Sequence, residues 1–158
     1  DVLVNNAGFV IYGKVEELSI EDIESQMQTN YFGMINCTKY FLPYFLKQNS
    51  GHMVNVASVG GSFGVPGIAS YCATKFAVRG FSEALYKEVR ELGVKVTCVY
   101  PGSVKTDFFR HSESIDAHDN MLMPEDVATM IVQSTEMPAN FHQVNLEVRP
   151  LQPKGPKR

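Results

Sequence analysis

No run of apolar residues in this chain reaches the roughly 18 that a helix needs to cross a bilayer, and no basic-then-apolar leader opens it. It reads as soluble. Cysteine is scarce: Cys37, Cys72 and Cys98 are odd in number, far apart and set among apolar residues. That is the pattern of buried thiols in a reducing compartment, here the cytoplasm, and it excludes a disulfide framework. Lys and Arg number 14 against 17 Asp and Glu, a net charge of -3, and cluster only in the tail Lys154 to Arg158. Nucleic acid and anionic membrane surfaces are therefore excluded as partners. The four histidines, His52, His111, His118 and His142, lack metal-ligand spacing with Cys or carboxylates and are expected on the surface or in loops, with no metal site. The chain has no internal repeat and no low-complexity stretch beyond the tail. It also lacks an opening of its own: Asp1-Val2-Leu3-Val4 is strand-like from the first residue, without initiator Met or leading turn, as if it began inside a larger architecture.

What is present suffices for one core. Hydrophobic residues make up 44% of a chain of single-domain size, with the domain expected over residues 1–149 and a Pro/Lys-rich tail over 150–158. Val2 to Val4 run into Asn5-Asn6-Ala7-Gly8, small and turn-forming residues suited to the end of a buried parallel strand. Ser19 with Asp22 has the form of a helix-start cap. Apolar residues then keep helical spacing to about Leu46, weakened at Gly33 and Pro43. His52 to Ser58 is a strand leading into the glycine-rich Gly60 to Gly64. A second helix is predicted from Ser70 to Leu92, with Phe76, Ala77, Phe81, Ala84, Leu85 and Val89 on its packing face and Gly93 as its stop. Val94 to Tyr100 is a strand closed by Pro101-Gly102, residues 107–123 are irregular, Pro124 opens a helix to about Met137, and Val144 to Val148 is a last strand. Asn36-Cys37-Thr38 matches a glycosylation acceptor but falls inside a helical pattern. Alternating strands and helices imply right-handed crossovers and a parallel sheet, with ligands bound outside the strands' carboxyl ends.

Three polar residues converge at such an end: Ser58, Tyr71 and Lys75. A Tyr and a Lys at i and i+4 share one helix face and alone mean little. Here they open a helix at the mouth of the sheet, thirteen residues after Ser58. A phenol with pKa about 10 becomes useful at neutral pH once lowered toward 7, which requires roughly 4 kcal/mol. One ammonium about 4 Å away at an effective dielectric near 20 supplies that order, and the helix N-terminus adds to it. The spacing suits a phenol exchanging a proton with a carbonyl or alcohol oxygen, held by Ser58. With no metal and no acyl-transfer nucleophile in view, hydride transfer to or from a nicotinamide is the matching reaction.

The chain resembles the carboxyl-terminal two-thirds of a short-chain dehydrogenase/reductase. The resemblance is carried by Asn5-Asn6-Ala7-Gly8, Asn30 within Thr29-Asn30-Tyr31, Ser58 after Asn55-Val56-Ala57, Tyr71-Cys72-Ala73-Thr74-Lys75, and Pro101-Gly102-Ser103-Val104-Lys105-Thr106. It implies an α/β, Rossmann-like doubly wound parallel sheet, truncated to strands four to seven of the family fold. It also implies NAD or NADP as cofactor, a ketone or alcohol as substrate, and roles for each position. Tyr71 would be the general acid in reduction and the base in oxidation. Lys75 would lower its pKa and bind the nicotinamide ribose, Ser58 would orient the substrate oxygen, and Asn30 would hold a water in a proton relay. Asn5, Ala7 and Gly8 would line the adenosine side and steady the sheet; Pro101, Gly102, Val104 and Thr106 would meet the carboxamide and phosphates. The two long helices would build a homo-oligomer interface, and the aromatic run Tyr40, Phe41, Tyr44 and Phe45 is expected to serve packing rather than ligand recognition.

The resemblance also shows what is missing. No Gly-x-x-x-Gly-x-Gly turn occurs, and about eighty residues of the family pattern have no counterpart, among them those that choose NAD or NADP. Taken alone, this stretch is expected to be inactive. Two other readings remain: a non-catalytic association module derived from this fold, and an isomerase or dehydratase of the related extended group. The segment Asp107 to Met123, with Phe108, Phe109, Met121 and Met123, is expected to cover a moderately hydrophobic substrate.

Overall fold

Strands alternate with helices along the chain, and each strand is too short and too apolar to stand outside a sheet. A computed structural model of the protein, describing residues 1–109 and 117–153, assembles them into one parallel sheet. The strands are β1 (Val2–Asn5), β2 (Gly51–Val56), β3 (Val94–Pro101) and β4 (Asn145–Val148), side by side in that order. Register pairs Leu3 with Met53 and Met53 with Val96, so alternate residues of three strands share each face. One face carries Leu3, Met53, Val94 and Val96, packed against Phe45, Leu85 and Val89 of the long helices. The other carries Val2 and Val4, both about half exposed.

The first helical stretch is three pieces rather than one: α1 (Ile20–Met27), a π-helical turn (Gln28–Gly33) and α2 (Met34–Gln48), with Pro43 inside α2. Ser19 caps α1 as expected, its hydroxyl accepting the Asp22 N–H at 3.1 Å while Asp22 accepts the Ser19 N–H at 3.2 Å. The buried side of this stretch is largely polar. Gln26 accepts the Ile11 N–H at 3.1 Å, Asn30 bonds both backbone groups of Phe9 at 2.9 Å, and Thr38 meets Asn5 at 3.4 Å. The loop after β1 has no ladder partner for its amides, and the helix supplies side-chain partners instead.

The second long helix, α3 (Ala69–Val89), turns Tyr71, Cys72, Thr74, Lys75, Val78, Ser82, Leu85 and Val89 inward. Phe76 and Ala84, expected on the packing face, are exposed. Leu85 and Val89 are buried as expected, but the buried stripe also includes polar side chains that pattern reading passes over. After α3 a short turn leads to Gly93 in the left-handed region. The helix α4 (Pro124–Thr135) precedes β4. Two further expectations are corrected. Cys37 is exposed on α2, whereas Cys72 and Cys98 are buried and all three are free thiols. His52 is buried on β2 because Thr97 of the adjacent strand gives its ring a partner at 2.7 Å. Thr38 of the formal glycosylation acceptor is buried on α2. His111 and the tail Lys154 to Arg158 lie outside the described residues, among which no helix is long and apolar enough to cross a membrane.

Candidate active site

At the carboxyl end of β2 the chain passes through Ala57 to Ser58, whose extended backbone opens a tight turn over Val59–Gly61. The Gly60 N–H donates to Ser58 Oγ at 3.1 Å, fixing the hydroxyl and leaving its own hydrogen to point elsewhere. The first turns of α3 stand beside it. Tyr71 and Lys75 are 5% and 4% exposed, and the Lys75 Nζ lies 5.7 Å from the centre of the Tyr71 ring. That ammonium donates to the Val56 carbonyl at 2.9 Å, tying α3 to the end of β2.

The electrostatics differ from the sequence argument. Burial pushes the Tyr71 phenol up to about 12, outweighing a hydrogen bond from Ser58 that pulls it down. Burial likewise lowers Lys75 to about 8, with Cys98 acting weakly in the opposite sense. The ammonium faces the ring rather than meeting the phenolic oxygen as an ion-pair partner, so desolvation is the larger influence on both. At neutral pH Tyr71 keeps its proton, as a general acid requires.

These groups open on a cleft of about 760 Å³. Of the residues singled out from sequence, it brings together Gly8, Ser58, Tyr71, Lys75, Pro101, Gly102, Val104 and Thr106. Gly102 is anchored by its N–H on the Val148 carbonyl at 2.8 Å. Asn30 stands behind the cleft, 2% exposed, with both amide hydrogens used on Phe9 O and Thr74 Oγ1, so it offers a water only acceptor sites. Asn5 turns into the sheet instead, donating to Asn55 Oδ1 at 2.8 Å, and Ala7 is exposed outside the cleft lining. Gly8 is a point of close approach: a Cβ there would sit 3.2 Å from both Lys75 Nζ and Asn30 Oδ1.

Of the expected cover, Phe108 and Phe109 line the cleft, and Phe108 meets Tyr71 edge-on at 5.5 Å. Met121 is buried away from it and Met123 is the exposed residue before α4, because Leu122 bridges to Val104 and orients the pair. Residues 110–116 of that segment lie outside the described residues. Sequence reading missed Tyr12, Val65 and Ile68, which line the same cleft from two other loops. No local signal marks them, since only the fold brings those loops together.

A family model for short chain dehydrogenases matches residues 1–116. The chain belongs to the short-chain dehydrogenase family. Among curated relatives, the chain is 43% identical over 123 residues to SadH of Mycobacterium tuberculosis, an oxidoreductase by name, covering 77% of the chain and 45% of SadH. It is 46% identical over 108 residues to a 3-ketodihydrosphingosine reductase of Bacteroides thetaiotaomicron, covering 68% of the chain and 40% of that reductase. It thus spans less than half the length of these relatives. Among solved structures, the closed form of a serine dehydrogenase complexed with NADP+ superposes with a TM-score of 0.86 at 32% identity, over 96% of this chain and 65% of that one.

Proposed function

We propose that this chain carries the catalytic side chains of an NAD(P)-dependent oxidoreductase acting on a small ketone or alcohol. The observation that carries the reading is the meeting of Ser58, Tyr71 and Lys75 in one cleft at the carboxyl ends of a parallel sheet. The residues present fit the nicotinamide end of such a cofactor. Gly8 leaves open the space a Cβ would fill beside Lys75 Nζ, and Lys75, with one proton on Val56 O, has two more to offer ribose hydroxyls. Pro101, Gly102, Val104 and Thr106 stand across the cleft for the carboxamide and phosphates. Among the 158 residues there is no glycine-rich turn for the pyrophosphate and nothing that chooses NAD or NADP.

When bound, the nicotinamide supplies or accepts the hydride. In reduction, Tyr71 gives its proton to the substrate oxygen as that oxygen gains charge, and in oxidation it takes the proton back. The Ser58 hydroxyl, whose hydrogen is directed at the Tyr71 phenol, turns it to the same oxygen when substrate is present. Lys75 keeps a positive charge beside the phenol, and Asn30 accepts from a water that leads toward solvent. The exposed rings of Tyr40, Phe41, Tyr44 and Phe76 on α2 and α3 support a homo-oligomer through those helices, and the two buried free thiols accord with a cytoplasmic setting.

The test is a panel of ketones and alcohols with NADH and NADPH, run on the gene product that carries this chain and followed by nicotinamide absorbance. Tyr71→Phe is expected to lower turnover by about two orders of magnitude or more while cofactor binding is retained. Undiminished turnover in that variant would remove Tyr71 from the chemistry.

A further inference from the structure

Between Tyr71 and Lys75 on α3 lies Thr74, buried to 1% exposure. Its Oγ1 donates to the Tyr71 carbonyl at 2.8 Å and accepts from Asn30 Nδ2 at 3.0 Å. Asn30 in turn donates from the same nitrogen to Phe9 O and accepts the Phe9 N–H on Oδ1, each at 2.9 Å. A single line of hydrogen bonds therefore runs from the backbone of Tyr71 to the backbone of Phe9, the residue after Gly8. Each direction is dictated. Thr74 spends its one hydrogen on Tyr71 O and can only accept from Asn30. Turning the Asn30 amide over would set its oxygen against Phe9 O and against a hydroxyl with no hydrogen left. The π-helical turn carries Asn30 inward to this point, as single π turns do at functional sites.

We infer that Thr74 is a positioning residue: its hydroxyl clasps the catalytic turn of α3 to the Gly8–Phe9 loop, setting the distance from Tyr71 and Lys75 to the backbone that faces the cofactor. The clasp rests on the oxidoreductase reading for its effect on rate but not for its existence. The space at Gly8 is tight enough that a small shift matters, since Lys75 Nζ and Asn30 Oδ1 both lie 3.2 Å from the point a Cβ would occupy. Thr74→Val keeps the shape and removes the hydroxyl, leaving a buried Asn30 N–H without an acceptor. Thr74→Ser keeps the clasp.

In the gene product that carries this chain, Thr74→Val is expected to lower kcat/KM about tenfold or more, with Thr74→Ser within about threefold of the parent. The loss should shrink on a Tyr71→Phe background, because only the placement of Lys75 is then left to disturb. Hydrogen exchange at the Phe9 amide should speed up at least about tenfold in Thr74→Val and stay put in Thr74→Ser. Should the valine variant fail to fold, Thr74→Ala serves in both assays. Parental rate and exchange in the hydroxyl-free variants, or a loss that multiplies fully with Tyr71→Phe, would overturn the inference. If no carbonyl compound is turned over at all, the oxidoreductase reading falls, and the Phe9 exchange still decides the clasp.

Discussion

Tyr71 and Lys75 are perturbed in opposite directions by the same cause, and this sets the pH limits expected of the proposed reaction. The phenol, raised to about 12, stays protonated through the accessible range, whereas the ammonium, lowered to about 8, loses its charge within it. The alkaline limb of kcat/KM for reduction is therefore expected near pH 8 and belongs to Lys75. The residual activity of Tyr71→Phe should keep that limb in place; a limb that disappears with the phenol would show that Tyr71 titrates there instead. A second prediction concerns Gly61, where a Cβ would come within 2.7 Å of the Lys75 carbonyl oxygen. Backbone cannot yield as a side chain can, so Gly61→Ala should destabilise by about 1–3 kcal/mol and disturb Lys75, read as a lower urea midpoint with lower turnover. A parental midpoint would refute the tight contact. Ser58, Tyr71 and Lys75 were legible because helix periodicity and strand ends are local properties. Thr74 stood in the quoted motif but had no visible partner, since Asn30 and Phe9 reach it only through the fold. The depressed phenol expected from sequence assumed charge proximity would win; the burial of the site decides otherwise.

At the scale of elements, capping and glycine signals placed the helix and strand ends well, and what escaped was the polar character of buried faces. Gln26, Asn30 and Thr38 point inward because the loop after β1 needs partners, a demand invisible to an apolar pattern. The linker between α4 and β4 follows the same logic at the opposite end of the sheet. Lys95 donates to Pro138 O and Phe141 O at 2.8 and 2.7 Å, Thr97 donates to Gln143 O at 2.7 Å, and the His142 ring sits against the backbone of Val96. His52 completes the group, its ring 6.1 Å from that of His142. Burial, then His142, then Lys95 lower His52 to about 4, and burial foremost also lowers His142. Burial favours the neutral form of both rings in the fold. The contribution of His52 to stability is present above the unfolded value of 6.5 and is lost as pH falls from there through about 4, and His142 acts in the same direction. The melting temperature should accordingly drop on acidification through that window, with His52 supplying at most about 1.4 kcal/mol per pH unit. His52→Gln, which keeps a donor for Thr97, should flatten part of the slope. An unchanged slope would mean that His52 already titrates normally.

At the scale of the molecule, the sheet was legible as parallel, but not which surfaces the chain leaves open. β1 pairs only with β2, and Val2 and Val4 project about half exposed from the sheet face that α2 and α3 do not cover. The rings of Tyr40, Phe41 and Tyr44 cluster on α2, and Phe76 is exposed on α3. The strand edge and the helices should associate differently. A helix face pairs with its like and closes, giving a dimer, whereas an open strand edge offers a template that the next copy extends. The 158-residue chain on its own is thus expected to sediment as a dimer with heavier species that grow with concentration. Val2→Lys with Val4→Lys should remove the heavier species and leave the dimer, and Phe41→Glu with Phe76→Glu should dissociate the dimer itself. A plain monomer at tens of micromolar would sink both assignments. The same samples, titrated with NADH and NADPH, should show little affinity: in the proposed reading Lys75, Gly8 and the Pro101–Thr106 loop would hold only one end of a dinucleotide, and the sequence has no Gly-x-x-x-Gly-x-Gly turn for the pyrophosphate. Micromolar binding by the isolated chain would mean that the nicotinamide end alone suffices, and that the open face beside Val4 already serves as the cofactor's second wall.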